Sequence, residues 1–382
     1  MTFDLTSKLP GLEPSIFTVM GAMAREHNAV NLSQGFPDFE PDPELLALVD
    51  AAMRTGYNQY APMAGIYSLR EVLSKKINTL YDHSFNPDSE ITVTSGATQA
   101  IFTAITAFVN PGDEVILIRP AYDCYEPAIH LNGGKVVSVQ MKGKDHNIDW
   151  EEFRSAITTR TRMVIINTPH NPSGRIFSQS DMRALEQALT NTDILLLSDE
   201  VYEHLVFDGK QHESVARYPG LVSRAMICVS FGKTFHTTGW KMGYCAAPDY
   251  LMSEFRKVHE FNVYCANHPI QHALASYLEE PGRYLGLGPF FQQKRDFFLN
   301  AIAGTRFNFT PCEGTYFQLL DYSRISEETD TDFARRLITD YGLASIPISV
   351  FNENREDHRQ LRFCFAKKEE TLTRAAEILH KI

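Results

Sequence analysis

Short apolar runs alternate with amphipathic segments through the middle of the chain. Apolar runs bounded by turn residues are typical of buried strands, whereas apolar residues at i, i+3, i+4 and i+7 indicate helices. The pattern predicts strands at 91–94, 114–118, 135–141, 163–167, 194–198 and 226–230, interleaved with helices at 99–109, 123–131, 149–157 and 180–190. This alternation indicates an α/β fold with a mostly parallel sheet covered by helices, and such sheets bind ligands at the carboxyl ends of their strands.

Both ends of the chain depart from this alternation. Near the N-terminus the pattern predicts a helix over 16–23, a strand at 29–32, a helix that begins at Asp42-Pro43, and another over 66–80. The segment 57–65 has two tyrosines and no periodicity, so we expect a loop there. The C-terminal third changes to antiparallel-looking strands at 316–320, 344–351 and 361–365, with helices between them.

Length and charge narrow the class of protein. A chain of 382 residues exceeds the usual size of one domain, so we expect two domains that share one site. A formal net charge of -11 disfavours nucleic acid and anionic membranes as partners. The six cysteines lack the spacing of a zinc site, which indicates reduced thiols and no metal. With no apolar signal region or membrane span, we expect a cytoplasmic protein.

Small and cationic residues stand at the end of the strand predicted at 226–230. Ser230, Gly232 and Lys233 come where the apolar run ends. A lone lysine after a strand is ordinarily a surface residue. Here, however, three glycines allow close approach of the backbone, and Lys233 and Lys241 bracket a loop rich in hydroxyl groups. This combination suits an anionic, phosphorylated ligand.

The ends of the other predicted strands add to the same pattern. Gly96, between a strand and a helix, favours a phosphate cradle at the helix N-terminus, although small residues also serve tight turns for steric reasons. Taken singly, Asn171 could form a turn, Asp199 could cap a segment, and Tyr122 could be a core aromatic residue. Together, an acid, a lysine, asparagines, a stacking aromatic ring and a phosphate cradle meet the requirements of pyridoxal 5'-phosphate.

Six segments carry a resemblance to a known family. They are Ser33-Gln34-Gly35-Phe36-Pro37-Asp38, Tyr60-Ala61-Pro62, 167–174 (NTPHNPSG), 198–202 (SDEVY), 230–233 (SFGK) with Gly239-Trp240-Lys241, and Leu361-Arg362-Phe363. In this order they resemble the class I aminotransferases of fold type I. Within these, the chain is similar to the kynurenine, glutamine and methionine aminotransferase group, which includes bacterial methionine aminotransferases.

The resemblance implies a role for each cofactor-site residue. Lys233 would bond covalently to pyridoxal 5'-phosphate and later move a proton at the substrate alpha carbon. Asp199 would pair with the pyridine nitrogen, Tyr202 and Asn171 would bind the phenolic oxygen, and Tyr122 would stack on the ring. The phosphate would be held by Gly96, Ala97, Thr98, Ser230 and Lys241, and by Tyr60 from the neighbouring subunit of a homodimer with shared active sites.

The resemblance also implies the substrate site and the domains. Arg362 would take the substrate alpha-carboxylate, helped by Asn171 and Gly35, and Phe17 would lie beside the side chain. The large domain, with a seven-stranded type of sheet, would span residues 37–281. The small α+β domain would combine residues 1–36 and 282–382, and would close over the substrate.

The function implied is transfer of the amino group of methionine, or of other apolar or aromatic amino acids, to a 2-oxo acid. Two departures leave the substrate open, because Phe17 and Thr98 stand where some relatives carry tryptophan and tyrosine. A third departure, His170 where many relatives carry asparagine, leaves Asn171 intact. Kynurenine or glutamine transamination and beta-elimination from cysteine conjugates are alternatives on the same scaffold. A non-catalytic binding module is a third hypothesis, but it predicts loss of Lys233, which is present.

Overall fold

The computed structural model describes residues 6–382, whose strands form three sheets. In chain order the strands are β1 (Val30–Asn31), β2 (Ile91–Thr94), β3 (Glu114–Arg119), β4 (Lys135–Gln140), β5 (Thr161–Asn167), β6 (Leu195–Asp199), β7 (Ala225–Ser230), β8 (Gly243–Ala246), β9 (Phe317–Asp321), β10 (Leu343–Ala344), β11 (Ile346–Pro347) and β12 (Gln360–Cys364).

Helices cover these sheets and connect most of their strands. They are α1 (Ile16–Glu26), α2 (Pro43–Arg54), α3 (Tyr67–Tyr81), α4 (Ala97–Phe108), α5 (Tyr125–Leu131), α6 (Trp150–Ser155), α7 (Gln179–Leu189), α8 (Pro219–Val222), α9 (Phe231–Thr234), α10 (Asp249–Asn262), α11 (His268–Tyr277), α12 (Gly282–Leu285), α13 (Leu287–Ala301), α14 (Asp330–Tyr341) and α15 (Glu369–Leu379). None of the helices in the described part of the chain is long and apolar enough to cross a membrane.

The seven-stranded sheet forms the centre of the fold. Its strand order is β2-β8-β7-β6-β5-β3-β4. Strand β8 runs antiparallel to both of its neighbours, and the remaining pairs are parallel. The predicted α/β fold with a mostly parallel sheet is therefore confirmed. Parallel strands are usually buried on both faces, and here successive residues of β5, Val164 and Ile165, enter two separate hydrophobic clusters.

The two ends of the chain meet in the two-stranded sheet, and the three-stranded sheet is built from the C-terminal part alone. Val30 of β1 pairs in parallel with Leu343 of β10, and β12 pairs antiparallel with β9 and β11. The antiparallel character expected for the C-terminal third is therefore present. The domain boundaries themselves, 37–281 against 1–36 plus 282–382, stay a prediction.

One predicted strand is wrong. The apolar run at 344–351 indicated a single strand, but the structure has β10, β11 and then a 3-10 turn at Ser349–Phe351. The carboxylate of Asp330 accepts hydrogen bonds from the backbone N–H groups of Ile348 and Ser349, at 2.8 and 2.7 Å, and from the Ser349 hydroxyl at 2.6 Å. These bonds take donors that a longer strand would need for its ladder.

Strand β8 was not predicted, and it changes the environment of the site. Its first residue is Gly243, where an added Cβ would lie 2.5 Å from the Val229 carbonyl oxygen and 2.9 Å from the Ala97 nitrogen. Only a glycine lets β7, β8 and the start of α4 approach one another this closely. The beginning of α4 is thereby held against the end of β7.

Candidate active site

A cavity of about 300 Å³ opens at the carboxyl ends of the parallel strands. Asn167, Asp199 and Ser230, the last residues of β5, β6 and β7, all line it. Thirteen of the fourteen predicted site residues line it as well: Phe17, Gly35, Gly96, Ala97, Thr98, Tyr122, Asn171, Asp199, Tyr202, Ser230, Lys233, Lys241 and Arg362. The exception is Tyr60.

Lys233 lies in the short helix that follows β7. Ser230 caps this helix, and its hydroxyl accepts from the Lys233 backbone N–H at 3.4 Å. The Lys233 side-chain amine donates to the carbonyl oxygen of Gly35 at 2.9 Å, and the Tyr316 hydroxyl donates to the same oxygen at 2.7 Å. Burial lowers the pKa of Lys233 to about 8. A larger share of the amine is therefore neutral and nucleophilic near neutral pH than for an exposed lysine.

Asp199 is a buried carboxylic acid at the end of β6. Its Oδ2 accepts from the Tyr125 hydroxyl at 2.6 Å, and its Oδ1 accepts from the Val201 backbone N–H at 3.3 Å. Burial raises the pKa of Asp199 to about 6, although the Tyr125 hydrogen bond opposes this shift. The carboxylate therefore faces the cavity with two hydrogen-bond partners, and a protonated ligand atom would stabilise its charge.

The turn that follows Asp199 is held by buried contacts outside the cavity. Glu200 and Glu203 do not line the cavity; each is buried with a basic partner. Glu200 Oε2 lies 2.8 Å from His212 Nε2, and Glu203 forms an ion pair with Lys76 of α3. Loss of one member of the buried Glu203–Lys76 ion pair costs several kcal/mol, so this pair holds the turn in one arrangement.

The start of α4 forms an anion cradle. Gly96, with φ of 80°, precedes the helix, and no side chain caps its free N–H groups. A Cβ at Gly96 would lie 3.6 Å from Lys241, whose backbone is in the left-handed region with φ of 54°. Helix N-terminal N–H groups beside a lysine and the Ser230 hydroxyl are suited to a phosphate group.

Arg362 enters the cavity from the small sheet. Its Nη1 donates to the Asn171 side-chain oxygen at 2.6 Å and its Nη2 donates to the Ser33 carbonyl at 3.0 Å, while its Nε has no partner. The guanidinium carbon lies 3.8 Å from the ring centroid of Phe317 and 5.0 Å from that of Phe17. This buried cation thus presents unused donors between two aromatic rings, which suits a planar carboxylate.

Phe17 is carried by α1, whose first turn contacts the cavity. Its ring lies 6.3 Å from that of Tyr122 and 5.7 Å from that of Phe351, measured between centroids. The hydroxyl of Ser15, the N-cap of α1, donates to Asp123 Oδ2 at 2.5 Å. The helix that carries Phe17 is therefore fixed to the loop that carries Tyr122.

Tyr60 lies outside the cavity of its own chain. Its side chain is 82% exposed and contacts Tyr264 edge-on, with 5.4 Å between ring centroids. The geometry therefore disfavours a contact between Tyr60 and the phosphate cradle of its own chain. The prediction that the residue serves a neighbouring subunit stays a prediction.

The residues present fit pyridoxal 5'-phosphate. The cavity volume of about 300 Å³ suits a small ligand. It combines an amine of lowered pKa, a buried carboxylate, an aromatic ring and a helix N-terminus with free N–H groups. These are the groups that an aldehyde, a pyridine nitrogen, a planar ring and a phosphate require.

Sequence reasoning missed three residues that matter for this geometry. Tyr125 binds Asp199, Tyr316 binds the Gly35 carbonyl, and the Gln34 side chain binds the Phe17 carbonyl at 2.8 Å. A signal existed for Tyr125, which lies three residues after Tyr122. The other two contacts join segments that are distant in the chain or lack periodicity, so no pattern indicates them.

His170, the departure inside the asparagine motif, is structural. Its Nε2 lies 3.0 Å from the Pro120 carbonyl and its Nδ1 lies 2.7 Å from the Ser173 hydroxyl. Burial lowers the pKa of His170 to about 3, so the ring is neutral. It joins the loop of Asn171 to the loop of Tyr122.

Comparisons with known proteins agree on one family. The family model described as aminotransferase class I and II matches residues 27–379. The chain is 48% identical over 377 residues to methionine aminotransferase of Escherichia coli strain K12, with 98% of each chain covered. It is 33% identical over 410 residues to kynurenine–oxoglutarate transaminase 1 of Rattus norvegicus, with 98% of this chain and 97% of the relative covered. The crystal structure of YbdL from Escherichia coli, reported with a methionine aminotransferase function, superimposes with a TM-score of 0.98 at 48% identity over 100% of both chains.

The burial of Asp199 predicts a pH-dependent stability difference in the cofactor-free protein. Because its pKa in the folded state is raised from 3.8 to about 6, folding holds this proton at pH 5 and loses stability as the pH rises through about 6. Asp199→Asn removes that loss. The free energy of unfolding of the variant, relative to wild type, should therefore increase by about 1 to 2 kcal/mol between pH 5 and pH 8.

Urea denaturation at both pH values measures this difference. Asp50→Asn is the control, because the Asp50 side chain is 56% exposed and should show no such increase. A difference between Asp199→Asn and wild type that does not change with pH would contradict the buried, proton-binding state of Asp199.

Proposed function

The chain belongs to the class I and II aminotransferases, and from this membership we propose that it transfers the amino group of methionine, or of other apolar or aromatic amino acids, to a 2-oxo acid. It is a pyridoxal-phosphate-dependent transferase by family. The observation that carries the proposal is that Lys233, Asp199 and Arg362 line one cavity together with the apolar ring of Phe17.

When bound, pyridoxal 5'-phosphate supplies an aldehyde that bonds to the substrate amine and a ring that withdraws electrons from the substrate alpha carbon. Lys233 would hold and move the proton at that carbon, since its lowered pKa suits both gain and loss near neutral pH. Asp199 would keep a proton on the pyridine nitrogen, and Tyr202 and Asn171 would donate hydrogen bonds to the phenolic oxygen. The cradle at Gly96 would hold the phosphate.

Arg362 orients the substrate in this proposal. Its free Nε and remaining guanidinium N–H groups would donate to the alpha-carboxylate, which is held between the rings of Phe17 and Phe317. A fixed carboxylate directs the alpha carbon toward Lys233, and the aromatic rings exclude water from the ion pair. Both effects favour proton transfer at one atom.

The charges in the cavity support an apolar substrate side chain. Among the described residues that line it, the cationic ones are Lys233, Lys241 and Arg362, and each already has a role. A distal carboxylate of aspartate would therefore be buried without a cation, which costs several kcal/mol. The relative at 48% identity is a methionine aminotransferase, which agrees with this selectivity.

We further infer a homodimer with shared active sites. Tyr60 and Phe261 are 82% and 88% exposed, and Tyr57 and Tyr264 are 41% and 42% exposed. Exposed aromatic residues favour a protein interface, and the rings of Tyr60 and Tyr264 lie 5.4 Å apart. The loop of Tyr60 is held in place by a contact of 2.9 Å between the Gln59 carbonyl and His268 Nδ1. Tyr60 can therefore contact a second subunit without rearrangement of the loop.

The first test follows the absorbance of the bound cofactor. Addition of methionine should change it, and addition of a 2-oxo acid should restore it. Lys233→Ala should retain fold and cofactor binding while the rate of this change falls by at least about a thousandfold, because the group that moves the proton is gone. Lys257→Ala is the control, since that side chain is 68% exposed. More than trace turnover in Lys233→Ala would refute the assignment.

The second prediction concerns the amino donor. Methionine should exceed aspartate by at least about a hundredfold in kcat/KM, or roughly 3 kcal/mol of transition-state binding. Phe17→Ala should reduce the methionine value more than the aspartate value, because it removes the apolar wall. A panel of donors that includes kynurenine and glutamine, with one common 2-oxo acid, measures this. Aspartate equal to methionine would contradict the apolar pocket.

The third prediction concerns the shared site. In a mixture of Lys233→Ala chains and Tyr60→Phe chains, a mixed dimer should contain one site with both Lys233 and Tyr60 intact. The mixture should therefore be more active than the Tyr60→Phe parent. If mixtures of any ratio never exceed that parent, Tyr60 acts within its own chain.

A further inference from the structure

Phe17 lies in the first turn of α1, and two side-chain hydrogen bonds hold this end of the helix beside the cavity: Ser15 to Asp123 and Gln34 to the Phe17 carbonyl. The Phe17 ring lies over the Arg362 guanidinium, with 5.0 Å between the ring centroid and the guanidinium carbon. A shift of α1 would therefore move the wall beside the substrate side chain, while the Arg362 guanidinium stays held by Asn171 and the Ser33 carbonyl.

The side chain of Gln34 holds this part of α1. Its Nε2 donates to the Phe17 backbone carbonyl at 2.8 Å, and Gln34 itself lines the cavity. Gln34 also precedes Gly35, whose carbonyl accepts from Lys233 and Tyr316. One residue thus connects the wall of the substrate pocket with the backbone beside the reactive lysine.

Gly21, in the middle of α1, provides the space for this contact. A Cβ at this position would lie 2.6 Å from Gln34 Nε2, and the next nearest atom would be 3.6 Å away. Glycine inside a helix costs about 1 kcal/mol relative to alanine, so its presence here has a local disadvantage. The amide of Gln34 occupies the volume that an alanine methyl group would need.

We propose that Gln34 is a specificity-determining positioning residue: Gly21 admits its amide, the amide fixes α1, and α1 sets the distance of Phe17 from Arg362. The proposal rests on the proposed function, because it concerns the pocket for the amino donor. Without the Gln34 bond, Phe17 is less well placed. Donors with long apolar side chains lose contact, whereas alanine, whose methyl group ends short of the wall, loses little.

The test uses Gly21→Ala and Gln34→Leu in the full-length holoenzyme, with alanine, norvaline, methionine and phenylalanine as donors. In both variants kcat/KM for methionine should fall about fivefold to tenfold, and that for alanine less than about twofold, as expected for loss of one hydrogen bond. Gly282→Ala is the matched control, because its added Cβ would come no closer than 3.8 Å to another atom.

A double-mutant cycle adds a second criterion. Once Gln34→Ala has removed the amide, Gly21→Ala should have no further effect on the ratio of methionine to alanine, because the two residues act through one contact. Hydrogen exchange of the amides in residues 16–21 should be faster in Gln34→Leu than in wild type. This readout needs no catalysis and separates a displaced helix from a damaged active site.

The outcomes separate this inference from the proposed function. If wild type does not prefer apolar donors, the proposed function fails, whatever the variants do. If wild type prefers them but the variants reduce alanine and methionine equally, or leave the ratio unchanged, Gln34 is not a specificity determinant. Additive effects in the double-mutant cycle would also overturn the proposal.

Discussion

The hydrogen bond between Arg362 and Asn171 links the small three-stranded sheet to the seven-stranded sheet. Asn171 follows β5 of the seven-stranded sheet, and Arg362 lies on β12 of the small sheet. The connection continues inward, because the Asn171 backbone N–H donates to the Asn167 side chain, whose amide donates to the Asp199 carbonyl. A displacement of one sheet against the other therefore moves the carboxylate-binding guanidinium relative to the buried acid. The chemistry of the cavity depends on this one alignment.

The fold was largely predictable because burial imposes a pattern on the chain. Parallel strands covered on both faces give continuous apolar runs, such as residues 163–167, and Asp42 caps α2 as its sequence indicates. The failures come from contacts at long range. Residues 344–351 form no single strand because Asp330 of α14 binds their backbone. Strand β8 is short and begins with glycine, and it is held by antiparallel pairing with β2 and β7 rather than by a local pattern.

The site was predictable as a set of residues but not as a set of contacts. Strand ends converge by topology, so Asn167, Asp199 and Ser230 had to lie at one edge. The choice of Tyr125 as the partner of Asp199 depends on how α5 packs, and the pinning of α1 by Gln34 depends on contacts between separate loops. The predicted role of Tyr60 involves a second subunit, and in the single chain its side chain is exposed to solvent.

The pairing of β1 with β10 sets an order of assembly during synthesis. Val30 waits for Leu343, which emerges from the ribosome more than 300 residues later, or roughly 15 to 60 s at ordinary rates of translation. The seven-stranded sheet needs only residues 91–246 and can form before that. Phe17, Gln34 and Arg362 depend on this late pairing, so a chain truncated before residue 343 can form the seven-stranded sheet and the Lys233 helix that follows β7, but not the substrate pocket.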